Sequence, residues 1–243
     1  MNLVEMMKGF GDESKCRNYL EKLRWPNGVT CPHCKHDKVY RIRREQFSCA
    51  SCEYQFSVTV DTIFHDTHLP LVTWFLATLL LCEAKKGMSA CQIKRSLGIK
   101  TYKTAWYLCH RIRSAMAQVE RVPLGGKVEM DETFVGGRAR GWANRNSNKE
   151  VVIGIRQRGG ELRFFHAEDV KSGTLAKYIQ ENLSGGVMGT WHRVSAKHLQ
   201  SYCNEMCFRF NNRKNPYLFR DTILKLIASQ NIEYKELTGQ SAA

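Results

Sequence analysis

The chain has 243 residues, and 37 Lys+Arg against 23 Asp+Glu leave a formal net charge of +14. With 43% hydrophobic and 25% charged residues it is neither disordered nor fibrous, and its length suits one large domain or two to three small ones. The charge favours a polyanionic partner; the longest apolar run, Leu71 to Cys82, falls short of the ~20 residues of a membrane span, and no signal-peptide pattern opens the chain, so a soluble, cytoplasmic protein without a membrane partner is expected.

Residues 1–21 read as a helical lead-in, stopped by the turn Trp25-Pro26-Asn27-Gly28. Two CxxC pairs follow, Cys31/Cys34 and Cys49/Cys52, separated by fourteen residues. Each pair makes a knuckle that aims two thiolates at one point, and two knuckles close a tetrahedral Cys₄ site for structural Zn²⁺. Between them Lys38–Ile42 and Gln46–Ser48 alternate as a hairpin joined by Arg43-Arg44-Glu45. With four thiolates in place, His33 and His36 are read as surface loop residues. The remaining cysteines (Cys16, Cys82, Cys91, Cys109, Cys203, Cys207) are single and read as small buried residues of a reducing compartment.

Tyr54–Val60 alternates as a strand, and Pro70 opens a helix from Leu71 to about Lys86, apolar on most faces and therefore buried. Ser89 with Gln92 forms a capping box for a short helix that Gly98 ends, and Thr101 caps the next. Along that second helix Ala105, Leu108, Cys109, Ile112, Ala115, Met116 and Val119 form a core stripe, with Lys103, His110, Arg111 and Arg113 read as lying off it. The pair is a candidate helix-turn-helix, Thr101–Arg113 being its recognition helix.

Beyond Pro123-Leu124-Gly125-Gly126 the period changes to strands at 127–131, 151–155 and 162–167, with a basic glycine loop at 136–141 and a helix at 174–183. Three antiparallel strands and a helix, opening on an acidic strand end, are the beginning of a ribonuclease H-like core. Asp131, at that strand end, is a hard oxygen ligand for a divalent cation. Glu168 and Asp169 read as helix-start acids, Glu205 as a surface or ion-paired group of a helix, and Asp221 as a helix cap.

Val128-Glu129-Met130-Asp131-Glu132-Thr133-Phe134-Val135-Gly136-Gly137 resembles the V-E-x-D-E-T-x-V-G-G strand of insertion-sequence DDE transposases with an N-terminal zinc ribbon. Gly189-Thr190-Trp191-His192, Lys197-His198-Leu199, Tyr202, Glu205 and Phe208–Arg213 also look like the family's closing motifs, in the family's order. The resemblance implies that Asp131 is the first catalytic acid and that Mg²⁺ or Mn²⁺ serves the intact family. In that family a strand with the second catalytic Asp, and a further segment with the third residue, lie between the helix and the closing motifs. Here Leu183–Met188 joins the two directly with six residues, whereas such a segment needs at least roughly 25.

The expected architecture is α+β: a lead-in helix and Cys₄ zinc ribbon over 1–62, a helical, helix-turn-helix-like linker over 63–122, and an incomplete ribonuclease H-like α/β core over 123–243, truncated near 183–189. The expected function is that of a transposase-family protein that binds element ends but is defective in metal-dependent DNA cleavage and strand transfer. The alternative is a non-catalytic DNA-binding regulator that competes with intact transposase. Expected partners are DNA, as terminal inverted repeats and target, and a homodimer or mixed oligomer with intact transposase at the nucleoid. Candidate phosphate contacts are Arg41, Arg43, Lys94, Arg95, Lys103, Arg111, Arg138 and Arg140. The interrupted sheet is also expected to leave exposed edges.

Overall fold

The structure, a computed structural model, describes residues 2–42, 45–84, 87–117, 124, 128–136, 149–171, 174, 175, 178 and 196–238. It divides into two compact units: Met1–Ala84 with Met88–Ala115 and Tyr217–Ala243, and Lys85–Gly87 with Met116–Pro216. The sequence reading groups residues 123–243 together; here the segment from Tyr217 onward packs with the N-terminal half instead.

The lead-in is two helices, α1 (Leu3–Phe10) and α2 (Glu13–Arg24), where one was expected. Asn2 and Glu5 close a capping box on α1, and the Asp12 side chain accepts the Ser14 N–H at 3.0 Å to start α2. The break falls at Gly11, whose N–H closes on the Met7 carbonyl; a Cβ there would stand 2.4 Å from that oxygen.

After the ribbon strands β1 (Val39–Ile42), β2 (Gln46–Cys49) and β3 (Gln55–Phe56), the expected strand over 54–60 stops at Phe56. Hydroxyls divert the backbone into turns: Ser57 Oγ pairs with Thr59 Oγ1 at 2.8 Å, and Thr62 Oγ1 donates to the Thr59 carbonyl at 2.7 Å. Arg24 then donates to the Val58 and Val60 carbonyls, each at 2.6 Å, removing them from any ladder.

Helix α3 (Leu71–Glu83) is the centre of this unit, with Leu71, Trp74, Phe75, Ala77, Leu79 and Leu81 all buried. Its all-round apolarity is explained by neighbours on several sides: α1, α2, α5 (Tyr102–Ala115) and α7 (Leu218–Ala228) all pack on it. Phe10, Tyr19, Phe75 and Phe219 interlock with ring centroids 4.8 to 6.1 Å apart. Asp221, expected as a cap of α7, instead lies within its first turn and pairs with Arg220 at 2.9 Å. A last short helix, α8 (Tyr234–Thr238), follows. No helix among the described residues is long and apolar enough to cross a membrane.

The second unit is an antiparallel sheet ordered β4 (Val128–Gly136), β5 (Lys149–Gln157), β6 (Leu162–Ala167). Alternation along β5 sends Val151, Ile153 and Ile155 to one face, with Phe165 and Ala167, and Val152 to the other, where Leu162 and Phe164 meet α6 (Ala196–Asn211) through Leu199, Cys203 and Cys207. Helix α6 also closes the outer edge of β6 with side chains. Asn211 accepts the Leu162 N–H at 2.8 Å and donates to its carbonyl at 3.0 Å; Cys207 Sγ accepts from Phe164 N–H at 3.0 Å. Gln200 accepts from His166 N–H at 2.9 Å and donates to the Phe164 carbonyl at 3.1 Å. The expected exposed edge is thus absent at β6, because the Asn211 and Gln200 amides and the Cys207 thiol take the place of a ladder partner. Among the described residues β4 is the other edge. Thr174, Leu175 and Tyr178 are helical; the rest of the helix expected over 174–183 and the join at 183–189 lie outside the described residues.

Candidate metal centre and nucleic-acid interface

The two knuckles are built alike. Cys31 N–H donates to the His36 carbonyl and Cys49 N–H to the Tyr54 carbonyl, while the residue after each second cysteine, Lys35 or Glu53, donates back to the Cys31 or Cys49 carbonyl. That closure forces Lys35 and Glu53 into the left-handed region, at φ 62° and 56°. The β1–β2 hairpin, with Ile42 opposite Gln46, delivers Cys49 to Cys34 at 3.4 Å and places Cys52 3.7 Å from Cys31. All four sulfurs lie within 4.8 Å of one another. Tetrahedral zinc–thiolate bonds of ~2.3 Å set sulfur–sulfur edges of about 3.8 Å, so the donor set fits a closed Zn²⁺ site. Phe47, Phe56 and Val60 bury Cys31 and Cys49, with Trp25 packed edge-on against Phe47.

The thiols are electrostatically unequal. Hydrogen bonding from the Cys52 backbone N–H, with help from Ser51, pulls Cys49 down to about 6. Cys52, although the Tyr54 N–H lowers it, is pushed up to about 12 by burial and the crowded neighbouring sulfurs. A divalent cation is the natural neutraliser of such a set. His33 and His36 are exposed and outside the cluster; His36 Nδ1 instead meets Asp37 and the Lys38 N–H. Of the single cysteines five are buried, and burial pushes Cys16 and Cys203 up to about 12. Cys91, expected inside, is exposed on α4 (Ala90–Ser96).

The helix pair forms as the caps require. Ser89 accepts the Gln92 N–H at 3.2 Å and its own N–H donates to Gln92 Oε1 at 3.1 Å, while Thr101 Oγ1 accepts the Thr104 N–H at 3.1 Å. Gly98, at φ 64°, turns the chain so that Ile99 N–H reaches the Lys94 carbonyl at 3.0 Å. The outward side of this turn carries Arg95, Lys100 and Lys103, all exposed, and half-buried Lys94. Lys100 was missed by the sequence reading, although its place just before a helix cap was a usable signal.

Arg111 corrects the reading of α5. It is 3% exposed and donates to the Ile63 and His65 carbonyls and to Asn231 Oδ1. His110 and Arg113 are buried too, with Arg113 donating to the Met88 carbonyl at 3.0 Å. Arg111 faces inward because the turns after the ribbon present carbonyls that no ladder satisfies, and its guanidinium supplies the donors. Arg41 is half exposed, ion-paired with Glu21 at 2.6 Å and stacked over Phe47. Arg43, Arg138 and Arg140 lie outside the described residues.

Asp131 sits mid-strand on β4, opposite Gly154, with the side chains of Glu129 and Thr133 on the same face. Its Oδ1 accepts the Glu132 N–H at 3.0 Å. Glu129 is tied to Arg158, and Glu205 is fully buried and paired with Arg209 one turn on, at 3.2 Å. Asp169 is an acid of another kind: Lys171 Nζ, the Thr174 hydroxyl and the Lys171 N–H hold it down at about 2. Among the described residues the four cysteines are the only group of three or more His, Cys, Asp or Glu side chains whose ligand atoms converge.

Comparison with known proteins agrees with this division. Residues 11–55 match a transposase zinc-ribbon domain and residues 123–188 an ISXO2-like transposase domain. A protein of Halobacterium salinarum described as an uncharacterized protein in transposable element ISH50 is 28% identical over 157 residues, 63% of this chain and 52% of that protein. The chain therefore spans about half the length of this curated relative. No solved structure matches. With the cysteine cluster assembled and both matched segments in order, the chain carries a segment similar to a transposase zinc ribbon followed by one similar to an ISXO2-like transposase domain.

Proposed function

We propose that this protein binds the DNA ends of an insertion element through its ribbon and the α4–α5 pair, and is defective in cleavage and strand transfer. The observation that carries the reading is the isolation of Asp131 from any second and third metal-binding acid among the described residues. Phosphodiester cleavage by two ions needs a carboxylate that bridges both and others that hold each one. One carboxylate does not fit such a site, so no Mg²⁺- or Mn²⁺-dependent step is assigned to Asp131. The sequence supports this: no aspartate occurs between Asp169 and Asp221, and the only acids between them are Glu181 and Glu205. The ISXO2-like match stops at residue 188, where the six-residue join meets Gly189.

Binding is supported by Arg95 in the last turn of α4, Lys100 in the turn and Lys103 at the exposed start of α5, the end that a recognition helix presents to base edges. An end-binding chain without cleavage would act at the nucleoid as a competitor of intact transposase, alone or in mixed oligomers. The test is a labelled element-end duplex in Mg²⁺ and in Mn²⁺, with wild type and Asp131→Ala. The expected outcome is retardation of the duplex by both proteins, steeply weakened by salt, and nicking by neither. Nicking by wild type that Asp131→Ala abolishes overturns the defect. Equal affinity for inverted-repeat and scrambled duplexes overturns end recognition.

A further inference from the structure

Beside the exposed start of α5 the first unit holds a cavity of about 280 Å³ that neither the ribbon nor the acidic strand uses. Trp74, Tyr107 and Tyr234 give it aromatic walls, and Lys103 and Arg111 bring two cations to it. Tyr107 and Tyr234 stand nearly perpendicular, with centroids 5.7 Å apart. Lys103 Nζ lies 4.1 Å over the Tyr234 ring, and the Arg111 guanidinium lies 5.0 Å from Trp74 and 5.2 Å from Tyr107. These walls are fixed from behind: Trp74 Nε1 donates to Thr67 Oγ1 at 2.8 Å, Tyr107 donates to the Ile232 carbonyl, and Arg111 is held by the Ile63 and His65 carbonyls.

The combination selects a ligand. A quaternary ammonium, the usual guest of an aromatic cage, is repelled here by Lys103 and Arg111. The volume falls just below the ~300 to 1,000 Å³ of small-molecule pockets, too small for a helix and suited to one planar ring with its sugar. Aromatic faces beside cations are the elements that bind unpaired nucleotides, the base stacking and the phosphate meeting the charge. Exposed Asp66, at the rim and 3.4 Å from His65 Nε2, offers an acceptor to exocyclic amines of a base. Lys103 joins the two surfaces, because it belongs both to the exposed basic turn of the helix pair and to the cavity wall.

We propose that this cavity captures a single unpaired nucleotide of DNA held by the α4–α5 pair, the base against Tyr107 and Tyr234 and its phosphate at Lys103. The inference rests on the end-binding reading, and the experiment separates the two. Full-length protein is titrated by fluorescence anisotropy against a blunt duplex, the same duplex with one unpaired thymidine, that duplex with an abasic nucleotide at the same place, and a labelled single-stranded hexathymidine. The unpaired base is expected to tighten binding about tenfold over the blunt duplex, within the range of one base–aromatic stack, and the abasic probe to match the blunt one.

Tyr234→Leu is expected to erase the gain and weaken hexathymidine binding to the same extent, leaving blunt-duplex affinity within about twofold; Tyr234→Phe restores both. Equal affinity for blunt and unpaired duplexes, an abasic probe as good as the base, or equal losses on every probe in Tyr234→Leu overturns the pocket. Absence of duplex binding with hexathymidine still captured in a Tyr234-dependent way overturns the end-binding reading and leaves the pocket standing.

Discussion

The ribbon and the acidic strand set the same task, bringing charged ligands to one point, and solve it to different degrees. The four cysteines come from one stretch, Cys31 to Cys52, and local hydrogen bonds that repeat in both knuckles fold them together. Asp131 sits on a well-formed strand, but among the described residues no second or third ligating side chain converges on it. A site encoded within one hairpin survives almost any loss elsewhere in the chain; a site assembled from separate strands is lost with any one of them. The same contrast holds for the sheet edges, since β6 is closed by α6 whereas β4, which carries Asp131, ends the sheet among the described residues.

The largest expected effect is therefore at the ribbon. Structural zinc contributes apparent binding energies of ~10 to 16 kcal/mol in small zinc domains. Cys49→Ser, or chelation of the wild type, is expected to release the bound Zn²⁺ to a metallochromic dye. Amide exchange protection over 39–56 should vanish, and that of α3 persist. Retention of stoichiometric zinc by Cys49→Ser would break the comparison, because the cluster would then not act as a closed unit.

The next effect is at the closed edge. Asn211→Ala leaves the Leu162 N–H and carbonyl without their partner, and a buried polar group stripped of its bond costs ~1 to 3 kcal/mol. Glu132→Gln, exposed on β4, is expected to change stability by less than ~0.5 kcal/mol. Urea unfolding of the two variants compares the edges directly; equal midpoints would mean that α6 does not protect β6.

The cysteine spacing, the Ser89 capping box, the hairpin and the three strands were legible because each is a local pattern with one physical solution. Arg111 was not. A cation on a helix reads as solvent-facing, and only the fold reveals that Ile63 and His65 turn carbonyls inward toward it. The strand after Phe56 failed for a related reason: alternation over 54–60 is sound, but Ser57, Thr59 and Thr62 hydroxyls and Arg24 compete for the same backbone groups. The packing of Tyr217 onward against the N-terminal helices depends on contacts such as Cys82 to Thr222, separated by 140 positions, which no window of sequence contains. The stretch around Asn211 was visible only as a resemblance, while the bonds of Asn211 to the Leu162 edge required the structure.

A smaller effect probes the knuckles. Lys35 and Glu53 hold left-handed backbone with side chains present, at a cost of ~1 to 2 kcal/mol each. Glycine relieves that strain but gains freedom in the unfolded chain, ~0.5 to 1 kcal/mol. Lys35→Gly is expected to raise ribbon stability by a net ~0.5 kcal/mol, read as slower zinc transfer to a competing chelator. Faster transfer would show that the Lys35 side chain supports the site in a way the backbone does not reveal.

The smallest effect concerns the acid most easily mistaken for a replacement ligand. Both Asp169 oxygens are taken, Oδ1 by the Lys171 N–H and the Thr174 hydroxyl and Oδ2 by Lys171 Nζ. These bonds, with the Lys171 side chain first, hold its folded value at about 2, below the ~3.9 of an unfolded aspartate. The stabilisation is accordingly complete above pH ~4 and is lost as pH falls from there toward about 2. Asp169→Asn should flatten that part of the acid-unfolding curve and leave stability at pH 7 slightly lower. If Asp169 instead served a divalent cation, millimolar Mg²⁺ would shift its carboxyl resonance in an NMR titration. No shift is expected, because an ammonium, a hydroxyl and a backbone amide already take three of the carboxylate's roughly four acceptor sites, and a cation would have to compete with the Lys171 ammonium on Oδ2.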